Sequence, residues 1–599
     1  MSRKLHFKTT LPFTTKSFLF LLLLFSLHSF AQTTYFVDIN RPDNSGDGLS
    51  FATAFKDIQV ALDATVAGDE VRVAQGTYVP TEPASTSTLY SPIVCFHFDK
   101  DITFKGGYDA SSGIQDLNTP SILSGDTGND NTVTGFGATL NIDNQNSGLT
   151  TVVLTRNLTT NCLIDGFMMT GGRARSGNVI YSGINISRFG GGMTNNSSSP
   201  TMTNITFFGN YATSSGYAGG LYNRNSDPVL RNVMFDRNYS FFESGGVYNI
   251  NSSPSFTDVR FYGNYSGDQG GGMRSLNTAS VITLNNVIFE QNYADQSGGG
   301  MSITSNASAT LTNVFFIQNN AANLGGGMFA RETTNIELIN TVFAGNSATG
   351  NGGALYNFST SNVTLTNVTF ARNSSSADGG GMYNNLTSPN PVLFNTVFYT
   401  NVNASSINDI AGNNIDFSSA NNASDSTGGF INLGANFVSL VGNPFVDVFD
   451  YNGADDIYGT NDDGLFPNIT NGQLVNAGDN TRNTEAGDAA KQVRIADSTI
   501  DIGAYESGST TLDVLENKLI SPIVMYPNPA TDEITLSSNV ETSLVSASIY
   551  TMEGKLIRTV DLTSILQIKS IDISELQAAS YMMVVTSNQG QTTKMFVKR

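Results

Sequence analysis

Hydrophobic and polar positions follow a pattern that repeats about every 27 residues between residues 160 and 401. Each repeat carries a glycine pair followed by an apolar residue, at Met193, Leu221, Val247, Met273, Met301, Met328, Ala354 and Met382. Each also carries a phenylalanine followed three residues later by asparagine, at Phe207, Phe235, Phe261, Phe289, Phe316, Phe343, Phe370 and Phe398. Two markers with one period predict a repeat architecture.

A further asparagine stands three residues before these phenylalanines. The residues are Asn204, Asn232, Asn286, Asn313, Asn340, Asn367 and Asn395, with Asp258 in the remaining repeat. Apolar residues alternate on both sides, so the position predicts a bend between two short strands, and asparagine tolerates the left-handed backbone that such a bend needs. We expect about three strands of roughly 3 to 5 residues per repeat, stacked on neighbouring repeats, with the asparagines in a structural ladder of amides.

The frame L-x-N-[VIT]-x-F-x-x-N resembles the pectate-lyase-like superfamily, whose right-handed parallel β-helices carry an asparagine ladder in one turn. It is also similar to the repeats of polymorphic outer-membrane proteins. The resemblance covers Thr160 to Asn401 and rests on structural residues, so it implies a fold rather than an activity. The predicted fold is all-β: a right-handed parallel β-helix followed by a small C-terminal β-sandwich.

The segments on either side of the repeats predict caps. In residues 32–159, Ile58, Ala61 and Leu62 have the spacing of an amphipathic helix, similar to the N-terminal cap of pectate-lyase-like proteins before the first coils. In residues 402–508, "GADDIYGTNDDGLFP" and "IDIGAYE" resemble the closing region of secreted choice-of-anchor β-helix proteins, which predicts further coils and a closing cap. Residues 509–522 have the composition of a linker.

Both ends of the chain predict export. Residues 1–31 combine basic residues, the apolar run "SFLFLLLLFSL" and small residues before Gln32, the pattern of a signal peptide. Residues 523–599, with "MYPNPATDEITLSS" and the basic end Lys598-Arg599, resemble the C-terminal sorting domain of type IX secretion substrates in Bacteroidota. That resemblance implies that the type IX machinery is a partner, and that the protein is secreted or held on the outer cell surface once both ends are removed. No second apolar run predicts a transmembrane segment in the mature chain.

Composition narrows the choice of partners. The formal net charge is -20, and no lysine occurs between Ile114 and Ala490, so nucleic acid is not an expected partner. Polysaccharides and surface glycans remain as candidate partners. The cysteines Cys95 and Cys162 allow either one disulfide or two buried thiols.

No catalytic residue is predicted. A lyase needs a base and a cation, and a hydrolase needs two carboxylates at a defined separation. The repeats contain neither lysine nor histidine, and their arginines occupy different positions of the repeat. We therefore expect non-catalytic adhesion or glycan binding, with a polysaccharide lyase or glycoside hydrolase of the pectate-lyase-like kind as the alternative.

Aromatic residues supply the candidate binding site. The residue after each inward apolar position points outward by strand alternation, which gives Tyr222, Tyr248, Arg274, Phe329 and Tyr383, with Tyr356 one place out of frame. Exposed aromatic rings bind the faces of sugars. Alternatively, the rings stack laterally to stabilise parallel strands, or turns before the glycine pairs cover them.

Four aspartates form the candidate metal site. Asp455, Asp456, Asp462 and Asp463 stand on a glycine-rich stretch, and clustered oxygen ligands favour a structural calcium ion. The spacing does not match an EF-hand, so the alternative is a solvated acidic loop. No other cofactor is expected.

Overall fold

The computed structural model describes residues 32–81, 94–143, 151–174, 180–181, 184–185, 190–213, 216–277, 280–333, 335–386, 390–413, 419–426, 434–508, 524–537, 544–551, 555–562, 568–587 and 590–599. The chain divides into two units, Met1–Ser509 and Thr510–Arg599. The predicted signal peptide and the predicted linker lie outside the described residues.

The first unit is a parallel β-helix, and three of its sheets run from coil to coil. We call them the bent sheet, the row sheet and the short sheet. The strands of the bent sheet are Thr34–Val37, Glu70–Ala74, Thr77–Tyr78, Thr103–Tyr108, Ser121–Ser124, Leu163–Thr170, Thr201–Phe208, Val229–Asp236, Ser255–Tyr262, Val281–Glu290, Ser308–Ile317, Ile336–Ile339, Val342–Ala344, Val363–Thr366, Thr369–Ala371, Val392–Phe394, Val397–Tyr399, Ala423–Ser424 and Val438–Ser439.

The other two sheets complete each coil. The row sheet contains Phe96–Phe98, Val153–Arg156, Met193–Asn196, Leu221–Arg224, Val247–Ile250, Met273–Leu276, Met301–Thr304, Met328–Arg331, Leu355–Ser359, Met382–Leu386 and Ile410–Asn413. The short sheet contains Arg173–Ala174, Tyr211–Ala212, Tyr239–Ser240, Tyr265–Ser266, Tyr293–Ala294, Asn320–Ala321, Ser347–Ala348 and Ser374–Ser375. Two antiparallel hairpins pair outside the three sheets of the coils, Thr132–Thr134 with Asn141–Asp143 and Ile180–Tyr181 with Ile184–Asn185.

The N-terminal end is covered by the α-helix Ile58–Ala64, at the place that the amphipathic pattern predicts. Ile58, Ala61 and Leu62 are buried in the core of the coils. The Gln59 side chain ties the helix to the first row strand, because its amide donates to the His97 carbonyl over 3.0 Å. Short 3₁₀ turns occupy Phe51–Thr53, Gly137–Thr139 and Asn480–Arg482.

The asparagines at the predicted bends form an outer ladder, in which Asp258 takes one position and accepts without donating. Each has a left-handed backbone, with φ of 52° at Asn204 and 50° at Asn395, and each side-chain amide donates to its counterpart one coil earlier. Asn286 donates to Asp258, and Asn204 to Asp165. The strand prediction needs correction here, because in several coils a single strand such as Val229–Asp236 continues through the bend.

A second ladder lies inside the coils, formed by the asparagines of the F-x-x-N marker. Its members are Asn210, Asn238, Asn264, Asn292, Asn319, Asn346, Asn373 and Asn401, all fully buried. Asn264 shows the pattern: its amide donates to the Phe235 carbonyl over 2.9 Å and to Asn292 Oδ1 over 2.8 Å. The marker phenylalanines stack beside it, with ring centroids 4.8 Å apart for Phe207 and Phe235. The amide column therefore supplies the hydrogen bonds that the turn backbone needs inside an apolar core.

Residues 434–508 fold back along the flank of the later coils. A second core joins them to the outward side of the bent sheet, where Phe315, Val342 and Val397 meet Phe466 and Tyr505. Val397 occupies an outward position of the frame, and this region buries it completely. The closing region therefore caps a flank of the β-helix as well as its end.

Cys95 and Cys162 are free thiols, and both are buried. Burial raises the pKa of each thiol. Their structural role is that of small apolar side chains, the second of the two alternatives.

The second unit contains two antiparallel sheets over one core. One sheet contains Val524–Tyr526, Glu533–Ser537 and Ile568–Asp572. The other contains Leu544–Thr551, Leu556–Asp561, Ser580–Ser587 and Gly590–Val597. Ile534 and Ile571 from the first sheet share a core with Ile549 and Met583 from the second, as in a small β-sandwich.

Candidate binding face

The outward side of the row sheet carries one side chain from each coil, and together they form what we call the outer row. Strand register aligns Thr194, Tyr222, Tyr248, Arg274, Ser302, Phe329, Tyr356 and Tyr383. Tyr356 lies in register, contrary to the sequence expectation. The reason is that Leu355, rather than Ala354, pairs with Met328 in the inward position.

The aromatic rings of the outer row are largely buried. Tyr222, Tyr248, Phe329 and Tyr356 expose 5%, 4%, 5% and 4% of their surface, so the open ring faces expected from the sequence are not found at these positions. Tyr217, from the turn before a glycine pair, stacks on Tyr222 and Tyr248 with centroid distances of 5.8 and 5.1 Å. A second stack joins Phe329, Tyr356 and Tyr383, of which Tyr383 is half-buried. Lateral stacking between parallel strands is thus a structural role of these rings.

A polar segment separates the two aromatic stacks. Arg274 Nη1 donates to Asp268 Oδ2 over 2.8 Å and also contacts the Glu243 carboxylate. The next row position, Ser302, donates its hydroxyl to Gln269 Oε1 over 3.0 Å. Of the three charged side chains, Asp268 is the most exposed, at 26%, against 14% for Arg274 and 10% for Glu243.

The sequence pattern did not predict that Glu243 and Asp268 contact Arg274. Both acids stand in turns just before glycine pairs, and the turns of adjacent coils stack as the strands do. Asp268 lies in the turn just before Arg274, and Glu243 lies in the corresponding turn one coil earlier, so stacking these two turns would have brought the three side chains together. The signal was therefore present, but it depended on the lengths of the turns.

Other arginines of the coils lie apart and pair separately. Arg237 binds Asp236 over 2.8 Å, and Arg260 Nε binds Glu290 over 3.2 Å. Arg372 lies over the Phe449 ring, 3.9 Å from its centroid. These side chains do not converge on one groove.

The four aspartates of the candidate metal site face different partners. Asp463 is buried, accepts hydrogen bonds from the Gly459 backbone and the Tyr505 hydroxyl, and has its pKa raised to about 7 by burial. Asp455 and Asp462 are exposed and share the Thr460 hydroxyl, while Asp456 is exposed nearby. Across the described residues, no three His, Cys, Asp or Glu side chains are placed to hold a metal ion. The structural calcium stays a prediction.

Buried charges organise the closing cap. The Arg494 side chain donates to the Asp501 carbonyl over 3.2 Å, and its Nη1 lies 3.8 Å from Glu506. Asp488 accepts backbone hydrogen bonds from Gln492 and Glu506. Burial raises the pKa of Asp488 to about 6 and that of Glu506 to about 7, and Arg494 opposes both shifts. These carboxylates hold the turns of the cap together.

Comparison with known proteins gives one family match and several similar structures. Residues 524–599 match the family described as the secretion system C-terminal sorting domain. No curated protein matches the chain. Pectate lyase Pel9A is a similar solved structure, 13% identical over 80% of this chain and 97% of that chain, with a TM-score of 0.44. The GH136 lacto-N-biosidase from Eubacterium ramulus is another, 10% identical over 67% of this chain and 70% of that chain, with a TM-score of 0.29.

The fold and the matched domain define a secreted parallel β-helix protein with a type IX secretion sorting domain. The sorting domain indicates delivery to the outer cell surface or the extracellular space. Within the described part of the chain, no helix has the length and apolar character of a membrane span.

Proposed function

We propose that this protein is a non-catalytic adhesion protein that binds glycans on the polar segment of the outer row. The observation that carries the proposal is the Arg274 side chain, which lies on the outward face and bridges Asp268 and Glu243 between two stacks of aromatic rings. An adhesion protein has to be exposed outside the cell, and the sorting domain is consistent with that location.

The chemistry of the polar segment suits sugar hydroxyls. Arginine presents several fixed N–H donors, and carboxylates and amides accept from adjacent hydroxyls in a defined geometry. Asp268 and Gln269 lie side by side in one turn, and Gln269 already accepts from the Ser302 hydroxyl. The stacked rings on both sides hold the strands in place, so the polar groups are preorganised rather than ordered by the ligand.

The same geometry disfavours a lyase. A lyase base has to reach the substrate proton, and Arg274 Nη1 is already occupied by contacts with two carboxylates. Binding through arginine needs only its fixed N–H groups. We therefore assign Arg274 a recognition role.

A glycoside hydrolase is the second candidate, and one observation favours it. Glu243 and Asp268 both contact Arg274 Nη1, so the two carboxyl groups lie close together, as the paired acids of a glycoside hydrolase do. Against it, the guanidinium lies between the two acids, where a glycosidic oxygen would have to enter. Binding without hydrolysis is the better-supported function.

The test is a glycan array probed with the mature full chain. Arg274→Lys keeps the charge but removes the planar donor set, and Asp268→Asn removes one acceptor charge. We expect each to weaken glycan binding at least about tenfold, since both alter hydrogen bonds to the ligand. Asp378→Asn, in an exposed turn before a later glycine triplet, is the matched control and should bind as wild type.

Two results would overturn the proposal. One is the absence of binding to any glycan, and the other is equal binding by wild type and Arg274→Lys. Release of reducing ends from a polysaccharide, lost in Glu243→Gln, would instead support the hydrolase.

A further inference from the structure

The hairpin formed by Thr132–Thr134 and Asn141–Asp143 lies across the turns that follow the bent sheet. The Gly137 backbone N–H, in the 3₁₀ turn of the hairpin, donates to the Gly263 carbonyl over 2.9 Å. Phe136 lies against Tyr262, with ring centroids 6.1 Å apart. The hairpin is therefore docked on the coils by backbone and aromatic contacts.

Three glycines of one column of the coils lie under docked segments, and Arg237 and Arg372 occupy other positions of the same column. This column is the left-handed position just before each inner-ladder asparagine, where φ is 60° at Gly209 and 62° at Gly263. A Cβ atom at Gly209 would lie 2.5 Å from Val133, and one at Gly263 would lie 2.7 Å from Phe136. Further along, a Cβ atom at Gly345 would lie 3.1 Å from the Tyr451 hydroxyl of the closing cap.

Two consecutive members of this column, between the hairpin and the cap, are glutamines instead. Gln291 and Gln318 keep the left-handed backbone, with φ of 54° and 52°, and the Gln291 amide donates to Gln318 Oε1 over 3.1 Å. Adjacent coils are about 4.8 Å apart, so the two amides stand close enough to contact one small ligand. The column thus presents two long amides between Gly263 and Gly345, and the hairpin turn reaches the first of them, since a Cβ atom at Gly137 would lie 2.6 Å from the Gln291 carbonyl.

A cleft of about 340 Å³ opens at these glutamines, within the range of small-ligand sites. The hairpin contributes Phe136 and Thr139, and the coils contribute Gln291, Tyr293, Gln318 and Asn320, with no charged side chain. Gln291 Oε1 is buried and has no hydrogen-bond partner among the described residues. Phe136 exposes 45% of its surface.

The geometry points to this cleft as a binding site for an uncharged sugar unit, distinct from the outer row. A sugar hydroxyl would donate to Gln291 Oε1 and remove the cost of a buried acceptor without a partner. The Phe136 ring would cover an apolar face of the sugar. Because the lining is neutral, a sugar carboxylate would lose its hydration without gaining a cation.

The experiment measures binding of glucose, galactose, mannose and N-acetylglucosamine to the mature full chain, by saturation-transfer NMR and calorimetry, with galacturonate as the charged comparator. We expect at least one neutral sugar to bind with Kd on the order of 1 mM, and more tightly than galacturonate. Gln291→Asn keeps a residue that tolerates the left-handed backbone, but its shorter side chain withdraws the carbonyl oxygen from the cleft. It should weaken binding about tenfold or more.

Matched variants separate this site from others. Thr400→Asn changes the same repeat position in a coil away from the cleft and should leave sugar binding unchanged. Phe136→Ala should weaken binding, because it removes the ring that covers an apolar face of the sugar. Asp378→Asn, an exposed residue outside both proposed sites, should also leave it unchanged, so a loss in Gln291→Asn is attributable to the cleft. Absence of binding to all four neutral sugars, tighter binding of galacturonate, or undiminished binding by Gln291→Asn would each overturn the inference.

Discussion

Asn395 and Asp479 exchange two hydrogen bonds across 84 residues of sequence: the Asp479 backbone N–H donates to Asn395 Oδ1 over 2.7 Å, and Asn395 Nδ2 donates to the Asp479 carbonyl over 3.2 Å. Asn340 and Asn367 make similar contacts with Gly487 and Asn483. The outer ladder therefore serves as the docking edge for the closing cap.

Substitution of Asn395 should destabilise this contact. Asn395→Gly keeps the left-handed backbone but removes three hydrogen bonds, to Asn367 and to both groups of Asp479. We expect the free energy of unfolding to fall by about 2 to 4 kcal/mol in urea titrations, with earlier proteolysis of the cap. Asn232→Gly, an exposed ladder residue whose amide donates to Asn204, should cost about 1 kcal/mol or less. Equal losses in the two variants would refute the docking role.

The inner ladder should be more sensitive than the outer one. Asn346 is fully buried and its side chain takes part in four hydrogen bonds with Asn319, Asn373 and the Phe316 carbonyl. Asn346→Ala should lower the free energy of unfolding by about 3 to 5 kcal/mol, because buried donors and acceptors of two coils lose their partners. Asn362→Ala, whose amide pairs with Asn335 on the surface, should change it by about 0.5 kcal/mol or less. Similar midpoints for both variants in denaturation would contradict this account.

Stability should fall between pH 5 and pH 8. Burial, assisted by the neighbouring Asp425 carboxylate, raises the pKa of Asp409. A carboxyl group whose pKa is raised by folding stabilises the protein below its unfolded pKa, and this contribution is lost as the pH rises through the folded pKa. Burial also raises the pKa of Asp463 and Glu506, which act in the same direction.

Asp409→Asn isolates one part of this pH dependence. The variant removes the titrating group while keeping an acceptor for Asn401. The difference in thermal midpoint between pH 5 and pH 8, followed by circular dichroism, should shrink by about 2 °C or more. The exposed Asp378→Asn control should keep the wild-type difference. An unchanged slope in Asp409→Asn would mean that this carboxyl group does not titrate in the window.

Export should depend on the second unit. A chain that lacks residues 525–599 should accumulate in the periplasm, since the matched sorting domain spans residues 524–599. Cell fractionation and surface immunolabelling would locate it, with full-length Asp378→Asn as the exported control. Normal surface display of the truncated chain would refute the dependence.

Local regularities made the β-helix predictable from the sequence. The spacing of Phe207, Phe235 and their counterparts predicted the length of each coil. Asn204 and its counterparts marked a bend that needs a residue able to adopt the left-handed backbone conformation. The helix at Ile58–Ala64 followed from the same kind of spacing. Each of these features depends on residues within one repeat or one element.

The candidate site was predicted less well because it depends on contacts between turns. The register of the outer row was correct for Tyr222 and Tyr248, but Tyr217, from an irregular turn, stacks on both rings. The contact of Arg274 with Glu243 joins side chains 31 residues apart, and its geometry depends on the turn of each coil. The lengths and conformations of the turns vary between coils, so the repeat alone did not determine which side chains meet there.

Asn401, the last described member of the inner ladder, donates to the Asp409 carboxyl group over 2.9 Å. Asp409 lies eight residues later in the same coil, just before the row strand Ile410–Asn413. The same carboxyl group accepts from the Ser424 hydroxyl, in a strand of the following coil. One buried acid therefore fastens the amide column to the coil that covers it, and the column closes on an acceptor that is itself held in place.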